Sequence, residues 1–321
     1  MSSFDPHALE CLAAIVEEGG FERAAVRLSI TQSAVSQRLR TLEAQVGTVL
    51  IVRSRPLRAT TAGRLLLKHA MQLRLLRADL EHDLLELAPG NSSAHEHERM
   101  AIAVNADSIA TWALPALTKL VVAGLPLEII TDDQDFTHEW LREGQVLGCV
   151  TALKQPLRGC KVLPLGAMHY VAVASPSFAR QHCPQGLTQH NFRAVPFIAF
   201  NRKDDLQARF VRRVLGLKRV TLNQRFVPSS EGQVRAVLAD WGASVVPELH
   251  VRNRLAGGEL QNLAPERTLP VELFWHCWNL DSVLLDGLTR ALVDAAAAAL
   301  VSGQPEPAPS GAIAARRLLA D

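Results

Sequence analysis

Cysteine is scarce in this chain, net charge is nearly absent, and long apolar runs are missing. The five cysteines (Cys11, Cys149, Cys160, Cys183 and Cys277) are odd in number, far apart and without CxxC spacing. That argues against a disulfide framework or a zinc site and for buried free thiols in a reducing compartment. No apolar stretch approaches the ~20 residues of a membrane span. Asp5, His7 and Glu10 interrupt the N-terminus before a signal-peptide core can form. The expectation is a cytoplasmic protein without a membrane partner. Catalytic signatures are missing too. There is no GxSxG, no P-loop, no GxGxxG after a strand and no HExxH. The eleven histidines are scattered without ligand spacing, and His95 with His97 falls short of the ligands a metal needs. Neither an enzyme nor a bound metal or cofactor is expected.

What is present is an uneven distribution of charge. The chain has 321 residues, enough for two or three domains, and a formal net charge of +2. Residues 21–68 hold nine Lys or Arg against Glu22 and Glu43, so that segment carries 9 − 2 = +7 and the remainder 2 − 7 = −5. A basic N-terminal segment on a mildly acidic body suggests a polyanion partner for the first part only.

The first ninety residues read as helices followed by a hairpin. Leu9, Leu12, Ala13 and Val16 recur at helical spacing between Asp5 and Glu18, and Gly19-Gly20 ends that helix. Phe21 to Leu28 makes a short second helix, and Ser29-Ile30 a tight turn. Thr31 caps a third helix running to about Val46, with Ala34, Val35, Leu39, Leu42 and Val46 inward. Its other face carries Gln32, Ser33, Ser36, Gln37 and Arg40. Gln can bond an adenine edge, Ser either groove wall, and Arg a guanine or phosphate, so with Thr31 these are the candidate DNA-reading residues. A plain solvated face is the competing reading; the turn before it and the arginine-rich hairpin after it weigh against that. Val49 to Ala59 forms this hairpin, with Arg53 and Arg55 at its tip suited to phosphate or minor-groove contact. Ala62 to about Leu87 is a long helix whose Leu65, Leu66, Leu73, Leu76, Leu80, Leu84 and Leu87 form an apolar stripe. Pairing with a second copy would cover that stripe, as would packing on the chain's own C-terminal part.

The runs Phe21-Glu-Arg-Ala-Ala25, Thr31-Gln-Ser-Ala-Val-Ser-Gln-Arg38, Leu42-Glu43, Gly47 and Thr60-Thr-Ala-Gly63 resemble the signature of LysR-type transcription regulators. The resemblance extends to about residue 300. It implies an all-α winged helix-turn-helix N-terminal domain plus an α/β, two-lobed, periplasmic-binding-protein-like effector domain. It also implies assembly as a homodimer or tetramer, double-stranded DNA with an inverted-repeat operator as partner, and RNA polymerase as a further one.

The expected layout is a DNA-binding domain over 1–60, a dimerising linker helix over 61–88, a hinge over 89–98, an effector domain over 99–302 and a disordered tail over 303–321. Within the effector domain, lobe I takes 99–165 and 270–302, and lobe II takes 166–269. Short strands alternate with helices there: strands at 100–104, 127–131, 146–151, 162–165, 169–174, 194–200, 225–227, 243–246 and 271–275, with helices at 108–123 (Pro115 marking a break or a new start), 136–143, 206–215, 230–238 and 283–300. Such alternation predicts parallel sheets, with ligands at the carboxyl ends of strands between the lobes.

Several acids stand where strands end and helices begin. Asn105, Asp107 and Ser108 follow the first strand of the body, Asp132-Asp133 the second, and Asp204-Asp205 and Ser230-Glu231 open helices in the other lobe. Backbone N–H groups with Ser108 could hold a carboxylate, and the acids could take a cation. For each acid alone, helix capping is the stronger explanation. The run Val104 to Leu117, Leu141-Arg-Glu-Gly144, the stretch 165–170 and Val227-Pro-Ser-Ser-Glu231 also resemble the branch of the family that responds to basic amino acids. That resemblance implies lysine or arginine as effector and an amino-acid exporter gene as target. It makes Asn105, Asp107, Ser108, Asp133, Asp205, Ser230 and Glu231 the candidate effector residues. A regulator of the same fold with another effector remains the alternative.

Overall fold

The computed structural model describes residues 4–54, 57–87, 99–132 and 134–300. Arg55, Asp133, the expected hinge and the expected tail therefore lie outside the described residues.

Local sequence explains the N-terminal elements. Helix α1 (Pro6–Glu17) starts where the Asp5 carboxylate accepts from the His7 N–H and Pro6 supplies a pre-set φ. Its Ala8, Leu9, Leu12 and Ile15 are buried. Helix α2 (Phe21–Arg27) buries Ala24 and Ala25, small enough for α3 to pass close by. Helix α3 (Gln32–Val46) is capped by Thr31, whose hydroxyl accepts from the Ala34 N–H, and stops at Gly47 in the left-handed conformation. Strands β1 (Ile51–Val52) and β2 (Arg58–Ala59) pair antiparallel as a short hairpin, narrower than the hairpin expected over 49–59.

The long helix α4 (Thr61–Leu87) has two different faces. Leu66, Leu67 and Ala70 join the core of α1–α3, and Met71 and Leu75 join the core of the C-terminal body. Between them Arg74, buried, pairs with Glu10 and Glu17 of α1. The opposite face leaves Leu65, Leu73, Leu76, Leu80 and Leu84 exposed. The predicted stripe therefore loses Leu66, which turns inward, and packing on the chain's own body covers a different face. Gly144 meets α4 so closely that a Cβ there would sit 2.8 Å from the Lys68 backbone nitrogen, and its φ of +74° is itself unfavourable for a side chain.

The body begins with β3 (Met100–Asn105), then α5 (Ala106–Ser108), a π-type turn at Ile109–Ala113, and α6 (Leu114–Val122) opening at Pro115. The helix expected over 108–123 is thus divided, with a new start at Pro115 as its sequence suggests. β4 (Leu127–Asp132), α7 (Thr137–Arg142), β5 (Gly148–Thr151) and β6 (Cys160–Ala174) follow. Next come α8 (Pro176–His182), β7 (Pro196–Ala199), α9 (Leu206–Leu215), β8 (Asn223–Phe226), α10 (Ser230–Leu238) and β9 (Ala243–Pro247). The chain ends in α11 (Glu248–Ala256), β10 (Gln261–Asn262), β11 (Leu269–Trp278) and α12 (Val283–Ala299).

Among the described residues these strands form one sheet in the order β4-β3-β5-β11-β6-β9-β7-β8, with β10 also on β6. The expectation of parallel sheets is corrected to a mixed one. β3 pairs parallel with β4 and β5, and β7 with β8 and β9, but β6 and β11 run antiparallel to each other and to their neighbours. The two expected strands at 162–165 and 169–174 are one strand, β6. Where they were to separate, the β6–β11 ladder skips Leu165: Pro164 pairs with Phe274 and Gly166 with Leu273. Gly166 takes φ +114° at this bulge. On one side of the skip β11 borders β5, and on the other β6 borders β9. The cysteines are free, four of them buried and Cys160 half-buried.

Candidate functional site

The outer face of α3 presents short polar groups. Thr31, Gln32, Ser33, Gln37 and Arg40 are exposed and Ser36 is half-buried. The Thr31 hydroxyl also lies 2.9 Å from Ser33 Oγ, so cap and first turn form one unit. Arg53, on the hairpin, places its guanidinium 5.0 Å from the centre of the Phe21 ring at the start of α2. This contact fixes the hairpin against the helices while the cation keeps an exposed edge. Arg58 is exposed beside it, and Arg64 donates to the Ala59 carbonyl.

In the body, an open cleft lies at the carboxyl ends of β3, β4 and β7, lined by Ala106, Asp107, Asp132, Gln134, Phe200, Asp204, Leu206, Gln207, Gln233 and Val245. Among the described lining residues three are acids, and none is Lys or Arg. Asp107 is one of these acids. Tyr170 Oη donates to one carboxylate oxygen at 2.8 Å and Ser230 Oγ to the other at 2.5 Å. Burial pushes the Asp107 carboxyl above the usual range, against the lowering effect of those two hydroxyls and of nearby His250. Asp204 accepts from the Phe200 and Leu206 N–H groups at 3.0 and 2.8 Å. Burial raises its carboxyl as well, and the negative charges of Asp107 and Asp205 add to that. Asp132 accepts from Trp140 Nε1 at 3.4 Å.

Of the candidate effector residues, the structure brings Asp107 and Ser230 together. Asn105 and Ser108 flank Ala106 and Asp107 but are fully buried; their side-chain polar atoms have no protein partner among the described residues. Such atoms demand water or a ligand group. Asp205 turns away from the cleft, toward Arg209 and Arg212 on α9. Glu231 also turns outward, its carboxylate 3.0 Å from His250 Nε2.

Sequence reasoning did not single out Tyr170, Gln134, Gln207 or Gln233. Tyr170 is the sole tyrosine of the chain. Gln207 and Gln233 are polar residues on the apolar faces of amphipathic helices, which is a legible anomaly. Gln207 exchanges two hydrogen bonds with the Val245 backbone (2.7 and 3.2 Å), and Gln233 accepts from Ser244 Oγ, so both tie cleft helices to β9.

No helix among the described residues is long and apolar enough to cross a membrane. Residues 6–64 match the bacterial regulatory helix-turn-helix protein, lysR family, and residues 93–300 the LysR substrate binding domain. The chain is 41% identical over 302 residues to the HTH-type transcriptional regulator ArgP of Pseudomonas aeruginosa, spanning 94% of this chain and 99% of that protein. The crystal structure of ArgP from Mycobacterium tuberculosis superposes with a TM-score of 0.78 at 40% identity, covering 94% of this chain and 100% of that one. Full-length LysG from Corynebacterium glutamicum with bound effector Arg gives a TM-score of 0.69 at 35% identity, with 92% and 99% covered. With a polar outer face on α3, an arginine-bearing hairpin and an acid-lined body in one frame, the chain belongs to the LysR family of bacterial helix-turn-helix transcription regulators.

Proposed function

We propose that this regulator senses a basic amino acid, arginine or lysine, in the cleft between the two halves of its body. The observation that carries the reading is the convergence of Asp107, Asp132 and Asp204 on a cleft whose described lining residues include no Lys or Arg. A zwitterion with a second positive charge offers two cations to three carboxylates, and each charge-assisted bond contributes roughly 1.5–3 kcal/mol. Ser108 and Asn105 lie buried behind Asp107, and their side-chain polar atoms, without a protein partner among the described residues, call for a water bridging toward the ligand. Similarity to arginine-bound LysG supports the same ligand class.

The division of the body follows lobe I (99–165 and 270–302) and lobe II (166–269). Thr31, Gln32, Ser33, Ser36, Gln37 and Arg40 read base edges, and Arg53 and Arg55 meet the backbone of an inverted-repeat operator. The exposed leucines of α4 pair two copies, as a dimer or within a tetramer. Effector binding changes how the copies hold DNA and so changes what RNA polymerase receives, with a coupling typically of ~1–3 kcal/mol; an amino-acid exporter gene is the target this reading favours.

Calorimetric titration with L-arginine, L-lysine and L-glutamate tests the ligand class. Binding of a basic amino acid, absent for glutamate and lost in Asp107→Asn while operator binding persists, is the expected result. Glutamate binding as well as arginine would sink the reading.

A further inference from the structure

Two contacts span the cleft mouth next to its lining residues. On one wall, the loop after β4 carries Gln134, Asp135 and Phe136. The Gln134 carbonyl accepts from Thr151 Oγ1 at 2.9 Å and from the Ala152 N–H at 3.1 Å, fixing that loop to the end of β5. On the other wall, the turn before α9 carries Lys203 and Asp204, whose N–H groups both donate to Asn201 Oδ1 at 2.7 and 3.1 Å. Between the walls, Arg209 Nη1 lies 3.6 Å from Asp135 Oδ2, and Lys203 Nζ lies 5.1 Å from the centre of the Phe136 ring. Arg209 is shared: it also lies 3.8 Å from Asp205, one turn back on its own helix, and Asp205 in turn holds Arg212 at 3.5 Å.

We propose that Asp135, Arg209, Lys203 and Phe136 form a clasp that holds the two halves of the body together around the ligand, and that Asp205 weakens this clasp by competing for Arg209. The inference rests on the reading of the cleft as a site for a basic amino acid. When the halves part, Asp135 leaves Arg209 behind. Asp205 travels with Arg209, because both ride on the same wall, so the guanidinium keeps a partner and opening costs less. Asp135 therefore favours closure and Asp205 favours opening, although neither touches the ligand.

The two acids make a discriminating pair. Their side chains are comparably exposed, 40% and 56%, and each places one negative charge near the same cleft. A general field effect on a cationic ligand would weaken binding when either is neutralised. The clasp requires opposite effects. It also gives Asp205, a residue whose place before α9 suggested a ligand contact, a different part to play.

The test is calorimetric titration of the full chain with L-arginine for wild type, Asp135→Asn and Asp205→Asn. Exposed pairs of this kind correspond to about a two- to fivefold change in Kd. Asp135→Asn is expected to weaken binding by about that factor and Asp205→Asn to tighten it, both differences shrinking in high salt. Weaker binding in both variants, or none altered, overturns the clasp and leaves the effector reading intact. If wild type takes neither arginine nor lysine, the effector reading falls. A double-mutant cycle of Asp135→Asn and Arg209→Gln on thermal unfolding then decides the clasp on its own: non-additive effects support it and strict additivity ends it.

Discussion

Asp107 joins the two halves of the body and faces the cleft at once, and this dual position has a consequence in solution. Its carboxyl is raised by burial, and that of Asp204 by burial and by the nearby charges of Asp107 and Asp205. A carboxyl whose folded pKa is raised holds a proton that an incoming cation must displace. Affinity for arginine is therefore full above the raised values and falls as pH drops through them toward the ordinary carboxylate range. Titrations between pH 4 and 7, repeated in buffers of different ionisation enthalpy, should show weaker binding and more protons released toward the acid side. A pH-independent Kd with no proton release would remove Asp107 and Asp204 from contact with the ligand.

The same scale shows where the sequence stops being legible. That an acid pair at 204–205 stands before a helix can be read; which of the two faces inward cannot. The answer depends on a turn in which Asp204 caps two backbone N–H groups while Asp205 makes no side-chain cap bond. Glu231 misleads for a related reason. On the first turn of α10, Ser230 takes the inward position and leaves the next residue to His250.

Element by element, legibility follows local signals. The bounds of α9 and α10 agree with the predicted 206–215 and 230–238, because each combines an amphipathic pattern with a polar start. Strand β6 reads as two strands because Gly166 punctuates it, and only the partner strand shows that the interruption is a bulge. Helices α8 and α11 are missing from the expected layout; α8 is brief, though Ser175-Pro176 is a recognisable start. On α4, period alone does not tell which leucines face the chain's own cores, since both faces are apolar. Leu76 and Leu80 are exposed on the side away from those cores. Replacing both with Glu should leave the circular dichroism spectrum and arginine binding unchanged while sedimentation shows monomers. Retained assembly would place the interface elsewhere.

For the whole molecule, the basic N-terminal segment sets a polyelectrolyte signature. Arg40 and Arg53 are exposed on α3 and the hairpin. Replacing Arg53 with Ala should weaken binding to all sequences and reduce the salt slope of log K by about one for each phosphate no longer neutralised. Gln37→Ala should instead narrow the gap between operator and random DNA at an unchanged slope. Fluorescence anisotropy across a salt series separates the two, and equal slopes for wild type and Arg53→Ala would take that arginine off the backbone. The fold class is legible in outline from alternating strands and helices. The mixed sheet is not, because antiparallel order arises from long-range returns of the chain that local pattern does not encode.

Those returns are β6 and β11, and where their ladder skips Leu165 the neighbours change from β5 to β9. Mechanically this is a torsion bar with one soft section. The halves cannot draw apart along two continuous strands without stretching covalent chain, but they can twist about them, and the twist concentrates where a rung is missing. On the proposed reading, ligand capture registers as an angle rather than a gap. With the proposed pairing along α4, two copies convert such an angle into a change of spacing at their far ends.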